Sequence, residues 1–302
     1  MTLARCSILL ALLLIHGLSK AEESQTVTLT SGHFPPWISA ELPGGGYLRH
    51  LITEAFEHSG YRVEWEFLPW RRALMKVREG LADGSAAWAS HPGRDREFRI
   101  SIPVYTETNV LFRQRDTMPI VWDVLWMQPR PQSVCTPLGY TIPPILQRLE
   151  EAGGINLVNT RKASSCLKMV GKGHAQYAHD GLYSGLYAIN RIWSVEAAPV
   201  VAGELALAPN KGHVLFNADN PESEQLVKVL NKGLSHLART GRALALRERL
   251  LMPVVTGTGE PPYRLAPPRE PEGRNTPENE PAAKRWVLLA PLYSPVSAFR
   301  HP

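Results

Sequence analysis

The apolar residues change their period again and again between residues 26 and 89, and that alternation constrains the fold more than any other feature of the chain. Val27 and Leu29 alternate with hydroxyl residues over 26–30, the two-residue period of a strand. Ser31-Gly32-His33-Phe34-Pro35-Pro36-Trp37 follows, too rich in Gly and Pro to stay regular. After Gly44-Gly45-Gly46, the residues Tyr47, Leu48, Leu51, Ile52, Ala55 and Phe56 recur as one face of a helix that Gly60 ends. Val63, Trp65 and Phe67 alternate again. Trp70, Leu74 and Val77 mark a second helix stopping at Gly80, and 85–89 is a short strand of small and apolar residues. Strand–helix–strand–helix–strand is the order of a parallel sheet with helical crossovers, so an α/β fold is expected.

The theme returns further on. Residues 104–112 form an extended run, 133–136 a short strand, and Ile142, Ile145, Leu146 and Leu149 a helix face. A strand at 157–159 precedes a helix through Leu167 and Val170 that Ser164 or Ser165 can cap, and 176–178 is a strand running into His179-Asp180. Leu226, Val229, Leu230, Leu234 and Leu237 give the clearest amphipathic helix, ended by Gly241. Beyond Val255, the segment 255–302 holds ten of the 26 prolines, a composition that predicts a flexible tail broken only by the apolar patch at 286–289.

The start of the chain bears on its compartment. A positive 1–5, an apolar 7–14 and Ser19-Lys20-Ala21 make the pattern of a secretory signal cleaved near Ala21. The apolar run falls well short of the roughly 20 residues a membrane anchor needs. Losing Arg5 and Lys20 takes the formal charge from +5 to +3 (5 − 2), too mild an excess to suggest nucleic acid. The 281 residues left (302 − 21) suit two lobes with separate cores better than one small domain. Cys6 departs with the signal. Cys135 and Cys166 remain in an oxidising compartment, where the even count favours a disulfide over two buried thiols. No CxxC, HExxH or Cys/His cluster occurs, so neither a metal nor another cofactor is expected.

Phe34-Pro35-Pro36-Trp37 after the first strand, Pro69-Trp70-Arg71-Arg72-Ala73 opening the second helix, and Gly80-Leu81-Ala82-Asp83-Gly84 resemble, in order and spacing, the family 3 extracellular solute-binding proteins that serve polar-amino-acid ABC transporters. Arg94 is followed at the family's spacing by Ser101 and Pro103, and Asn231-Lys232-Gly233-Leu234 through Gly241 matches its last helix. The likeness spans about 26–250. It implies two Rossmann-like lobes joined by two crossing strands, the type II periplasmic-binding-protein fold. Lobe 1 would comprise 22–112 and 206–254 and lobe 2 113–205, with 255–302 outside both and the crossing strands near 111–115 and 204–208.

The resemblance also implies a site between the lobes. Arg94, at the family's arginine position, would grip a ligand carboxylate with its planar, permanently charged fork, with Arg96 in reserve. Asp180 would receive the ammonium, although the family's GRxD turn reads Gly173-His174-Ala175-Gln176 here. Phe34, Trp37, Trp70 and Trp88 lie at strand ends or helix starts and would supply aromatic walls, and Ser90 a hydroxyl beside Arg94. No nucleophile elbow or phosphate loop is present, and His179 and Asp180, adjacent on the chain, do not make a catalytic dyad. The expected function is therefore binding without catalysis. A monomeric periplasmic protein would capture a small carboxylate-bearing, amino-acid-like solute for an ABC permease. A ligand sensor or accessory module of the same fold is the alternative, and a dehydratase-type enzyme a third reading.

Overall fold

A computed structural model describes residues 25–256, apart from 92, 123–124, 126–129, 139 and 194–196. The signal expected at 1–21 and the Pro-rich 257–302 with its apolar patch lie outside the described residues.

Strand β1 (Thr26–Ser31) leads through α1 (Tyr47–Glu57) to β2 (Arg62–Phe67), and α2 (Trp70–Arg78) returns the chain to β3 (Gly84–Ala89). Both neighbours of β1 pair with it in parallel, as the periodicity predicts. The short α3 (Arg94–Glu97) and β4 (Phe98–Ile100) then precede the long β5 (Tyr105–Gln114). The second half repeats the pattern with β6 (Gln132–Pro137), α4 (Pro144–Glu151), β7 (Ile155–Thr160), α5 (Ala163–Gly171), β8 (Tyr177–Gly181) and α6 (Leu182–Ile192). The 18-residue β9 (Val200–Asn217) recrosses the molecule, and α7 (Ser223–Arg239), α8 (Arg242–Leu250) and α9 (Met252–Thr256) end the described chain.

Among the described residues nine strands join one sheet, ordered β2-β1-β3-β9-β5-β8-β6-β7, with β4 also on β9. Parallel triplets stand at its two ends, β2-β1-β3 and β8-β6-β7, while β9 and β5 run antiparallel in the middle. This is the expected architecture of two Rossmann-like lobes joined by two crossing strands. The β5–β9 ladder shifts register at Thr108/Val110 and again at Val110/Phe112. Arg113 of β5 and Glu204 of β9 pair across it at 2.5 Å.

The expected separate cores are corrected: one buried apolar cluster runs from Leu29 and Leu51 in the first lobe to Leu167 and Leu186 in the second. Leu48, Leu51, Ile52 and Phe56 of α1 are fully buried against the first triplet, and α7 lies beside α1. Gly233 permits that approach, because a Cβ there would stand 1.9 Å from the Ala55 carbonyl oxygen. Leu146, Leu149 and Ile155 close a core under the second triplet. Cys135 of β6 and Cys166 of α5 form a disulfide with their Cα atoms 5.3 Å apart.

Some local expectations are corrected. Ser164 and Ser165 sit inside the first turn of α5, whose N-cap is Lys162 without a side-chain cap bond. Ile142 precedes α4, because Pro143 and Pro144 start that helix. Gly241 does separate two helices; at φ 75° it takes the left-handed turn that starts α8. Helices α3, α6, α8 and α9 and strand β4 carry no signal used in the sequence reading.

Candidate functional site

A cavity of about 510 Å³ opens between the lobes, lined by the ends of β3, β5 and β8, the approach to α4, and the 208–211 stretch of β9. Ligands of open α/β sheets gather at such strand ends.

The first-lobe wall is cationic and aromatic. Strand β3 shifts register between Ser85 and Trp88, and within the shift Ala87 adopts φ 69°, a conformation costly for a residue with a Cβ. This bulge turns Trp88 to the cavity, its indole N–H held by Ser85 Oγ at 2.7 Å. Trp70 meets Trp88 edge-on at 5.0 Å, and Gly32 leaves room for the Trp70 ring. Arg94 stacks its guanidinium 5.1 Å from the Trp88 ring and donates to the Ala89 carbonyl. Burial, and then the charge of Arg78, lower its pKa from the usual arginine value. Its fork is thus braced on one side by the ring and on another by the main chain, while it still lines the cavity. Ser90 lines the cavity too, anchored through its N–H to the Lys211 carbonyl at 2.9 Å and through Oγ to His213 Nε2 at 2.9 Å.

The opposite wall is acidic. Asp180, next to the last residue of β8, is 2 % exposed; its Oδ1 accepts the Gly181 N–H at 2.8 Å, the Tyr140 hydroxyl bears on the same carboxyl, and Oδ2 keeps acceptor capacity to spare. Burial and the neighbouring Glu107 push its carboxyl up to about 8. Glu107 of β5 is held up to about 7 by burial, against the hydrogen bonds that favour its charged form. Those bonds come from Ser184, through its N–H at 2.8 Å and its hydroxyl at 3.1 Å, and from the Trp37 indole at 3.0 Å. Gly181 is required here, since a Cβ would stand 2.2 Å from the Glu107 carboxyl carbon.

The cavity therefore brings together Arg94, Asp180, Phe34, Trp70, Trp88 and Ser90 of the residues expected from sequence. Trp37 is not among its lining residues. It is 3 % exposed and packed against Tyr47, Tyr105 and Tyr183, and it meets the site from behind, through Tyr105 and through its hydrogen bond to Glu107. Arg96 is exposed on α3 and is not among the residues lining this cavity. Sequence reading missed Glu107, His179 as a cavity residue, and Tyr140. Alternation along 104–112 could have flagged Glu107 as an acid among apolar positions, but nothing local marks its burial. Among the described residues, no three His, Cys, Asp or Glu side chains converge as metal ligands.

Comparison with known proteins places these features. A model for bacterial extracellular solute-binding proteins, family 3, matches residues 27–252. No curated protein matches the sequence. Among solved structures, a histidine kinase sensor domain similar to periplasmic binding proteins aligns with TM-score 0.58 and 21 % identity, over 76 % of this chain and 97 % of its own. The second substrate-binding domain of a putative amino-acid ABC transporter from Streptococcus pneumoniae aligns with TM-score 0.58 and 17 % identity, over 74 % and 99 %. An arginine-bound substrate-binding protein of an amino-acid ABC transporter, from the same species, gives 0.57 and 16 %, over 76 % and 96 %. At such identities these likenesses speak for the fold alone.

Proposed function

Because the chain belongs to the bacterial extracellular solute-binding proteins of family 3, we propose that it captures a small, amino-acid-like zwitterion between its lobes. It does so in the periplasm, after removal of 1–21, and presents the solute to an ABC permease without transforming it. The same reading divides the chain into 22–112 with 206–254 as one lobe and 113–205 as the other.

One observation carries this reading: the cavity sets a braced guanidinium on one wall and a buried carboxyl with acceptor capacity left over on the other. A zwitterion fits that polarity. Arg94 holds two carboxylate oxygens in its planar fork. An ammonium at Asp180 supplies the charge that burial denies the carboxylate, and it takes up the spare acceptor capacity. Phe34, Trp70 and Trp88 cover the solute between the two charges.

The test is a thermal-shift screen of amino acids, opines, polyamines and small carboxylates. A ligand at about 100 times its Kd stabilises the folded state by about 2.7 kcal/mol, well within reach of the method. Arg94→Ala is expected to abolish that stabilisation while leaving the unliganded melting temperature nearly unchanged. Undiminished stabilisation in Arg94→Ala would overturn the assignment.

The likeness to a kinase sensor domain favours one second reading, in which closure signals to a membrane partner instead of delivering cargo. The two readings separate in a transport assay. Uptake that requires this protein and a permease supports delivery; binding without uptake supports sensing.

A further inference from the structure

The second-lobe wall holds an imidazole that the zwitterion's two charges leave unused. His179 precedes Asp180 on β8, lines the cavity, and is only 1 % exposed, yet neither ring nitrogen has a hydrogen-bond partner. Beside it on β6, Thr136 is fully buried and its hydroxyl is also unpartnered. Val134 pairs with Tyr177 and Cys135 with Ala178, so this register sets Thr136 level with His179 on the same face of the sheet. Tyr140, which also lines the cavity, meets the His179 ring edge-on at 6.5 Å. Buried polar groups are normally satisfied, and the cavity is where a partner can stand.

We propose that His179 is a specificity-determining residue of the cleft, reading an uncharged carboxamide or ureide at the far end of an amino-acid-like solute. The inference rests on the zwitterion reading and deepens it by naming the side-chain class. Burial drives the imidazole pKa down to about 4, so at neutral pH the ring is uncharged, with one donor and one acceptor nitrogen. A carboxylate side chain would meet no cation there and would face the acids Asp180 and Glu107. A second ammonium only donates, so it would leave the imidazole N–H without an acceptor. An apolar end would leave the imidazole unsatisfied. An amide, which both donates and accepts, matches either tautomer, and Tyr140 can close over its flat face. Sites built to hydrogen-bond a ligand group discriminate strongly against analogues that lack it, because their own buried groups are then left unpaired.

The test uses matched pairs: L-glutamine against L-methionine, L-asparagine against L-leucine, and L-citrulline against L-norleucine. Their affinities are measured by titration calorimetry on the ligand-stripped wild type, His179→Leu and His179→Gln. The wild type is expected to prefer the amide or ureide member of at least one pair by about tenfold or more. His179→Leu reduces that preference to within about twofold, and His179→Gln, whose amide donates and accepts, restores most of it. Preference that persists in His179→Leu, or a wild type that favours the apolar members, overturns the proposal. If His179→Leu fails to fold, the wild-type ranking and His179→Gln still decide it. Binding that needs Arg94 but ignores the amide sinks this inference alone, whereas a wild type that binds none of the six sinks the zwitterion reading and this inference with it.

Discussion

Two carboxyl groups buried beneath one cleft resist ionising together, and Asp180 and Glu107 are such a pair. Their carboxyls stand at about 8 and about 7 against ordinary values of 3.8 and 4.5. The folded, unliganded protein therefore keeps protons that the unfolded chain has already released above about pH 4. Their contribution to stability is complete below the unfolded values and is lost as pH rises through the folded ones. His179 acts in the opposite direction and in another window. Its pKa falls from 6.5 to about 4, so the unfolded state alone takes up a proton as pH drops below 6.5. Between pH 6.5 and 8 only the acids of this group act. The unliganded melting temperature is expected to fall across that interval, and Asp180→Asn to flatten the fall, which a differential scanning calorimetry series would show. An ammonium docked at Asp180 displaces its proton. Binding is thus expected to release protons near pH 7 and to tighten toward pH 8, and calorimetry in phosphate and Tris should return different apparent enthalpies. A pH-independent melting temperature in the wild type would contradict the picture.

At the scale of the elements, local signals were readable and distant ones were not. The helices whose apolar faces repeat regularly, α1, α2 and α7, were placed from spacing alone, and so were the strands of both parallel triplets. Helix α6 was overlooked although Leu182, Tyr183, Leu186 and Ile189 show helix spacing and are buried. Its N-cap is Gly181, which offers no side chain, and the acid that accepts an N–H of its first turn is Glu107, distant in sequence. A cap supplied from another strand leaves no mark beside the helix it caps. The site shows the same limit. Arg94 and Asp180 were accessible through motif spacing, whereas the displacement of Trp37 from the cavity depends on a hydrogen bond to β5. The disulfide was also foreseeable, since only two cysteines follow the expected signal. Closing a sequence separation of 31 residues constrains the unfolded chain by about 3–4 kcal/mol in the chain-entropy model. Cys135→Ser with Cys166→Ser is expected to lower unfolding free energy in urea by that order. Equal midpoints and slopes for the double variant and the oxidised wild type would show that the bridge contributes nothing.

For the whole molecule, the walls of the cleft belong to different lobes, and that separation determines what a solute can do to the shape. Arg94 follows β3 in the first parallel triplet, and Asp180 lies next to the end of β8 in the second. Among the described residues only β5 and β9 cross between the triplets, and their own ladder shifts register twice near Val110, an irregularity that suits hinge bending. A ligand moves an open–closed equilibrium only by its differential affinity for the two forms. An amino acid that reaches Arg94 with its carboxylate and Asp180 with its ammonium gains the second contact on closure, so it favours the closed form. A des-amino analogue of the same solute keeps the carboxylate contact and the aromatic wall but has nothing to offer Asp180, so it binds open and closed forms almost alike. Small-angle X-ray scattering is therefore expected to show a smaller radius of gyration with the saturating amino acid and no change with its des-amino analogue. Arg94→Ala should not compact with either. Equal compaction by both ligands would mean that closure is driven from the first-lobe wall alone and that Asp180 has no part in it.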